Sequence, residues 1–190
     1  MQTFDAIEKR HSTREYKNKA VPKEMLEALV DAGRRAPSAR AVEPWEFIVV
    51  TERKTLDALA VFINTGAFLA QAPACIVVVC EDVKYYLEDG SAATENILLA
   101  ATDLGLATCW IAGDKKDYAP DVLRLLDIPT GYKLVSLVAV GWAGKRGHQH
   151  KKRALKEVLH WNRFVKRSII KDPRITRILE KDDRNPPTVA

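Results

Sequence analysis

The sequence lacks several features that would each assign a class of function. Its only cysteines are Cys75, Cys80 and Cys109, with no CxxC pair among them. An odd, unpatterned set of that kind fits reduced thiols inside a core better than a disulfide frame or a zinc site. No apolar run approaches the roughly 18 residues a membrane span needs. The opening MQTFDAIEKRHSTR carries charge where a signal peptide would need an apolar stretch. The expectation is a cytoplasmic protein with no membrane role. Also absent are GxSxG, HExxH, GxGxxG and the P-loop pattern, so none of the corresponding hydrolase, zincin or nucleotide fingerprints is available. His148 and His150 have no third ligand in sight and read as a surface pair, so no metal is expected. His160 beside Trp161 reads as a structural contact rather than a base. A chain without its own acid, base or nucleophile can still be an enzyme when a cofactor carries the chemistry.

What is present is a chain of 190 residues, 47% hydrophobic and 29% charged, enough for one core and too polar to leave that core uncovered. Its net charge of +5 is unevenly spread. Met1–Trp142 holds 16 Lys and Arg against 20 Asp and Glu, a net of −4, whereas Ala143–Ala190 holds 14 against 5, a net of +9. A cationic C-terminal quarter suits an anionic ligand, a solvated face, or nucleic acid. Nucleic acid ranks last, because the segment has no RNP motif, zinc-finger spacing or interleaved stacking aromatics.

Residues 4–9 read as a short helix with Phe4 and Ile7 inward. A second helix opens with Pro22 as its first residue and runs to about Arg35, with Met25, Leu26, Leu29 and Val30 at helical spacing. Trp45–Val50 reads as a strand, with Thr51 as N-cap of the helix that follows. Residues 74–80 are a continuous apolar run, the mark of a strand covered on both faces. A helix from about Leu87 to Leu104 is apolar around most of its circumference, so it needs cover beyond its own core, of the kind a second subunit gives. A strand at Thr108–Ile111, a helix at Ala119–Leu126 and a strand at Lys133–Val140 complete a mixed layer structure with helices on both faces of one sheet. Residues 165–190 lose this periodicity and read as a basic tail or arm, leaving 1–164 as a single domain.

Four segments are candidates for chemistry. Arg10-His11-Ser12-Thr13-Arg14 offers two guanidinium groups, a hydroxyl and an imidazole to a phosphate monoester, or is a solvated turn. Pro37–Trp45 is a proline-stiffened loop that either meets a ligand or simply delivers Trp45 to the core. Gly105–Gly113 is a strand flanked by small residues, open to a flat ring or to close packing. His150-Lys151-Lys152-Arg153 is a cationic run able to join the first segment in space.

In this order the four segments resemble the nitroreductase family of FMN-dependent oxidoreductases. The resemblance rests on Arg10-His11-Ser12-Thr13-Arg14, Ala36-Pro37-Ser38, Pro44-Trp45-Glu46-Phe47, Gly105–Ile111 and Lys151–Trp161, and spans about residues 4–164. It implies an α+β fold with a central, mostly antiparallel sheet flanked by helices, and a homodimer with FMN at the subunit interface. It implies that Arg10, His11, Ser12 and Arg14 hold the FMN phosphate and ribityl chain, with Lys152 or Arg153 closing that site. Pro37, Ser38 and Ala39 would come from the other subunit, and Ala112 and Gly113 would lie beside flavin N5 and O4. No side chain is then catalytic, because flavin N5 carries hydride from NADH or NADPH to an electron-poor acceptor such as a nitroaromatic or quinone. Phe62 and Phe68 are lid or core residues. Two departures stand out: Ala112 stands where some members carry a Glu, and Ala41 and Glu43 replace the family's frequent Asn and Gln. They keep open a flavin-binding or sensing protein of the same fold without nicotinamide-driven turnover.

Overall fold

The computed structural model describes residues 1–145 and 147–164. They fall into two units, Met1–His150 and a second that begins at Lys151. The first unit is built on four strands, β1 (Trp45–Val50), β2 (Ala74–Glu81), β3 (Ala107–Ala112) and β4 (Tyr132–Gly141), in the order β1-β2-β4-β3. Every neighbouring pair is antiparallel, the α+β arrangement that the resemblance implies.

The apolar run of β2 explains its central place. Cys75, Val77 and Val79 face one cluster, packed with Leu56, Leu59, Ile63, Leu69 and Val122. Ile76, Val78 and Cys80 face the other, packed with Leu26, Leu29, Ala93, Ile97 and Leu98. Side chains alternate across a strand, so a strand with both sets apolar must be covered twice. Each fully buried Leu, Ile or Val contributes roughly 1.5–3 kcal/mol, and the sheet centre therefore anchors the unit. Burial pushes the thiols of Cys75 and Cys80 up to about 12, leaving them protonated. The three cysteines are free and buried.

The covering helices are α2 (Lys23–Gly33) and α4 (Tyr86–Asp103) on one face and α3 (Arg53–Phe62) and α5 (Ala119–Leu125) on the other, with α1 (Thr3–Lys9) near α4. Pro22 is the N-cap of α2 rather than its first residue, with ψ 143°, and the helix ends at Gly33, two residues before Arg35. Glu52, not Thr51, caps α3. The face of α1 is also reversed from expectation. Phe4 is 84% and Ile7 48% exposed, whereas Ala6 is buried. A helix of about two turns turns its smallest apolar residue inward when it lies close to a neighbour, and periodicity alone cannot choose between its two apolar edges. In α4, Gly90, Ala93, Thr94, Ile97, Leu98 and Ala101 are buried and Ala92, Leu99 and Ala100 half-buried. Here α1 and α2 supply part of the cover that the sequence suggests for a second subunit.

In the second unit the described residues contain one short helix, α6 (Leu155–Val158), with Arg153 bonded to the Glu157 carbonyl at 2.7 Å. The His160 ring lies against Phe164, centroids 4.4 Å apart. The tail expected from residue 165 onward lies outside the described residues. Among the described residues no helix is long and apolar enough to cross a membrane.

Candidate functional site

The segment 10–16 runs extended beside β3. Ser12 pairs with Thr108, the Thr13 N–H donates to the Thr108 carbonyl at 2.8 Å, and Tyr16 pairs with Ala143. Thr13 and Tyr16 are buried, whereas Ser12, Arg14 and Glu15 are exposed, so strict alternation does not hold across 13–16. The Tyr16 hydroxyl donates to the Thr13 carbonyl at 2.7 Å, and burial pushes its pKa far above the usual tyrosine range. Arg14, Ser12 and Arg10 all act on the buried Cys109 thiol of β3, opposing the upward push of burial. The bridge of Ser12 to Thr108 sets this motif beside β3.

Residues 143–145, Gly147 and Gln149 lie over this segment. The Gly144 N–H donates to the Glu15 carbonyl at 2.8 Å, Lys145 pairs with Glu15 at 2.9 Å, and the Gln149 amide donates to the carbonyls of Ile7 and Arg10 at 2.8 and 2.7 Å. Gly147 sits on the His11 ring, where a Cβ would lie 2.4 Å from Nε2. The His11 Nδ1 lies 3.0 Å from the Lys9 carbonyl. A carbonyl can only accept, so Nδ1 carries the hydrogen and Nε2 is left to find another partner. Among the described residues, His11 Nε2 and Thr13 Oγ1 are buried side-chain polar atoms with no hydrogen-bond partner. Both stand in the segment that sequence singles out for an anion.

The arginines make the same point. Arg34 and Arg35 share Asp31, Arg53 pairs with Asp57, Arg124 with Asp121 and Arg153 with Glu157. Among the described residues Arg10 and Arg14 have no carboxylate partner, and Arg14 lies 5.9 Å from the Phe68 ring centroid. A guanidinium left unpaired beside a hydroxyl presents the donor set that binds phosphate oxygens in pairs. This donor set fits the phosphate end of FMN.

The loop 37–43 is held from within and from α4. The Glu43 N–H donates to Ser38 Oγ at 2.9 Å, and the Ala39 N–H donates to the buried Asp89 carboxylate at 3.0 Å. Arg40, Ala41 and Glu43 have φ of 59°, 53° and 51°, a left-handed conformation that side chains other than Asn, Asp and Gly adopt at a cost. Trp45, 7% exposed, is a core anchor.

At the far end of β3 lies the turn 112–114. Thr108 and Ala112 are four residues apart, about 13 Å along the strand, so β3 joins the basic motif to this turn. Gly113 has no room for a side chain unless its neighbours shift: a Cβ would lie 2.5 Å from Leu134 Cγ and 3.0 Å from the Val135 carbonyl group. Its N–H donates to the Val135 carbonyl at 3.0 Å, so this amide is committed to the sheet. Ala112 is exposed. The Tyr118 hydroxyl donates to the Ala112 carbonyl and the Tyr86 hydroxyl donates to the Asp114 carboxylate. That bond, with burial, pushes the Tyr86 hydroxyl up to about 12, and burial raises Tyr118. Tyr86 and Asp89 stand three apart on α4, on one face, so one helical turn holds both the 37–43 loop and the 112–114 turn.

Lys152 and Arg153 are exposed residues of the second unit, and Arg153 is engaged with Glu157. Phe62 is 38% exposed and Phe68 packs against the first core cluster. Sequence reasoning did not find Asp89, Tyr86, Tyr118, Gly147 or Gln149. The only signal was an acidic residue and a tyrosine opening an otherwise apolar helix.

Comparison with known proteins agrees with this architecture. The family model described as "Putative TM nitroreductase" matches residues 2–173. A Methanothermobacter thermautotrophicus protein named "Putative NADH dehydrogenase/NAD(P)H nitroreductase" is 34% identical over 148 residues, 75% of this chain and 78% of its own length. A crystal structure of a protein with the same name from Bacteroides thetaiotaomicron is 33% identical, with a TM-score of 0.81 over 85% of this chain and 98% of that one. The structure of an FMN-dependent nitroreductase from Clostridium difficile is 29% identical, with a TM-score of 0.79 over 85% of this chain and 99% of that one. With the antiparallel sheet, the unpaired basic motif and the glycine turn in place, this chain belongs to the nitroreductase family.

Proposed function

We propose that the protein is an FMN-dependent NAD(P)H oxidoreductase that acts as a homodimer. The observation that carries this reading is the Arg10–Arg14 segment, with two unpaired guanidinium groups and two orphaned buried polar atoms on one extended stretch. The Clostridium difficile relative, named for its FMN dependence, supports it.

When bound, FMN would supply hydride transfer at N5, from NADH or NADPH to an electron-poor acceptor such as a nitroaromatic or quinone, in two half-reactions sharing one pocket. The chain supplies binding and orientation. Arg10, Ser12 and Arg14, with His11 beside them, hold the phosphate and ribityl chain, and Lys152 or Arg153 adds a further cation. Ala112 and Gly113 meet the N5 and O4 edge, where a turn with no bulky side chain admits a flat ring closely. Pro37, Ser38 and Ala39 reach the ring of the other subunit, their backbone set by Asp89 and Ser38. The exposed Phe4 and Ile7 of α1 and the half-buried edge of α4 suit burial against a second copy. Three buried, unbridged cysteines suit a reducing cytoplasm.

The test is the visible spectrum of the protein loaded with FMN, followed by NADH or NADPH without oxygen. The reading predicts bound flavin whose absorption bleaches on adding at least one nicotinamide. Bound flavin that stays oxidised with both points to a binding or sensing role, and failure to bind FMN overturns the cofactor assignment.

A further inference from the structure

We propose that Tyr118 is a positioning residue that locks the Ala112–Gly113 peptide and thereby sets the reduction potential of the flavin. The proposal rests on the reading above that this peptide meets the N5 and O4 edge of the ring.

Both polar ends of that one peptide are tied. Its carbonyl, from Ala112, accepts the Tyr118 hydroxyl, and its N–H, from Gly113, donates to Val135 at 3.0 Å. The α-carbon of Gly113 is seated so closely that a Cβ there would meet Leu134 and the Val135 backbone. The peptide therefore has no freedom to rock. Next along, Asp114 is held by the Tyr86 hydroxyl and Lys115 adopts a left-handed φ of 53°, so the stretch between β3 and Tyr118 is tethered at both ends. Ala112 is exposed, which leaves one side of this fixed peptide open to a ligand. Tyr118 itself is the N-cap residue of α5, and so is anchored to a helix packed on the first core cluster.

Two-electron reduction makes the ring electron-rich. Reduction also places a hydrogen on N5; the Gly113 N–H is already given to Val135, so the group left to meet that hydrogen is the Ala112 carbonyl. Its second lone pair would accept the hydrogen without reorganising when its orientation is fixed, and at a cost when it is free to rotate. Tyr118 would touch the ring through nothing but this peptide. Its hydroxyl acts on the orientation of the Ala112 carbonyl, and its loss frees the carbonyl end while Val135 still holds the N–H.

The experiment compares the wild-type chain with Tyr118→Phe by two measurements. In FMN-loaded protein, the variant is expected to bind oxidised FMN within about threefold of wild type while binding the reduced form about tenfold less tightly. That difference is a midpoint potential about 30 mV more negative for a two-electron couple. In protein without FMN, amide hydrogen exchange across 113–117 is expected to quicken about tenfold, with the thermal midpoint little changed. Faster exchange with an unchanged potential means that Tyr118 only shapes the turn, and overturns the proposal. Unchanged exchange together with an unchanged potential overturns it as well. Wild-type protein that takes up no FMN overturns the functional reading and this proposal together, whereas flavin-bound wild type with an unaltered variant potential overturns this proposal alone.

Discussion

The arginines of the helical surface and those of the two loop segments live under different physics. Arg34, Arg35, Arg53 and Arg124 each have a carboxylate within ion-pair distance, and Arg53 also donates to the carbonyls of Ala72 and Leu69 at 3.1 and 3.2 Å. Arg10, Arg14 and Arg40 have none among the described residues. Backbone conformation divides the same way. Of the six non-glycine residues with positive φ among the described residues, Arg40, Ala41 and Glu43 lie in the 37–43 loop and Lys115 two residues after Gly113. The scaffold meets its own hydrogen-bonding and charge needs, whereas the candidate site keeps capacity in reserve and tolerates strain. Proteins concentrate such unmet capacity and strain where a ligand completes the structure.

That contrast can be broken or sharpened by substitution. On the scaffold side, Leu29→Ala removes a fully buried side chain and is expected to cost about 2–5 kcal/mol in urea unfolding, while the folded fraction binds FMN as wild type does. At the boundary between the regions, Gly113→Ala forces Leu134 and the Val135 backbone to move, with an expected cost of about 1–3 kcal/mol and altered flavin absorption. On the site side, Ala41→Gly relieves a left-handed residue. It is expected to raise stability by less than about 1 kcal/mol, read as a higher urea midpoint at unchanged slope.

The smallest effect is a dependence on pH. The hydrogen bond to Asp114 holds the Tyr86 hydroxyl up to about 12, above its usual 10.0. A group whose pKa is raised on folding adds stability below its unfolded pKa and loses it as pH rises through the folded one. The stability gap between wild type and Tyr86→Phe should therefore be full at pH 9 and close between about pH 10 and 12, as followed by thermal unfolding across that range.

These contrasts also show which parts could be read from the amino-acid order. The β2 strand was legible because a run of seven apolar residues between Pro73 and Glu81 has few other homes. The Arg10–Arg14 and Gly113 segments stand out in the sequence because few residue types serve an anion or a close backbone approach. The orientation of α1 was not, since Phe4 and Ile7 match a buried face as well as an exposed one. Nor were Asp89, Tyr86 and Tyr118: their roles depend on contacts such as Ala39 with Asp89, 50 positions away, or Tyr86 with Asp114, 28 away. A tertiary hydrogen bond leaves no periodic trace in sequence. Strand order was equally hidden, because pairing of β2 with β4 rather than β3 depends on which strand edges remain free after the helices pack.

The most direct test of the account sets the two kinds of arginine against each other in an FMN titration, read by quenching of flavin fluorescence, with thermal unfolding of the same FMN-free proteins. Arg10→Ala should weaken FMN binding by about 10–100-fold, the value of a lost hydrogen bond to a charged group, and leave the FMN-free thermal midpoint unchanged. Arg53→Ala should lower that midpoint and leave FMN affinity as it was. An Arg10→Ala protein that binds FMN as tightly as wild type would contradict the account.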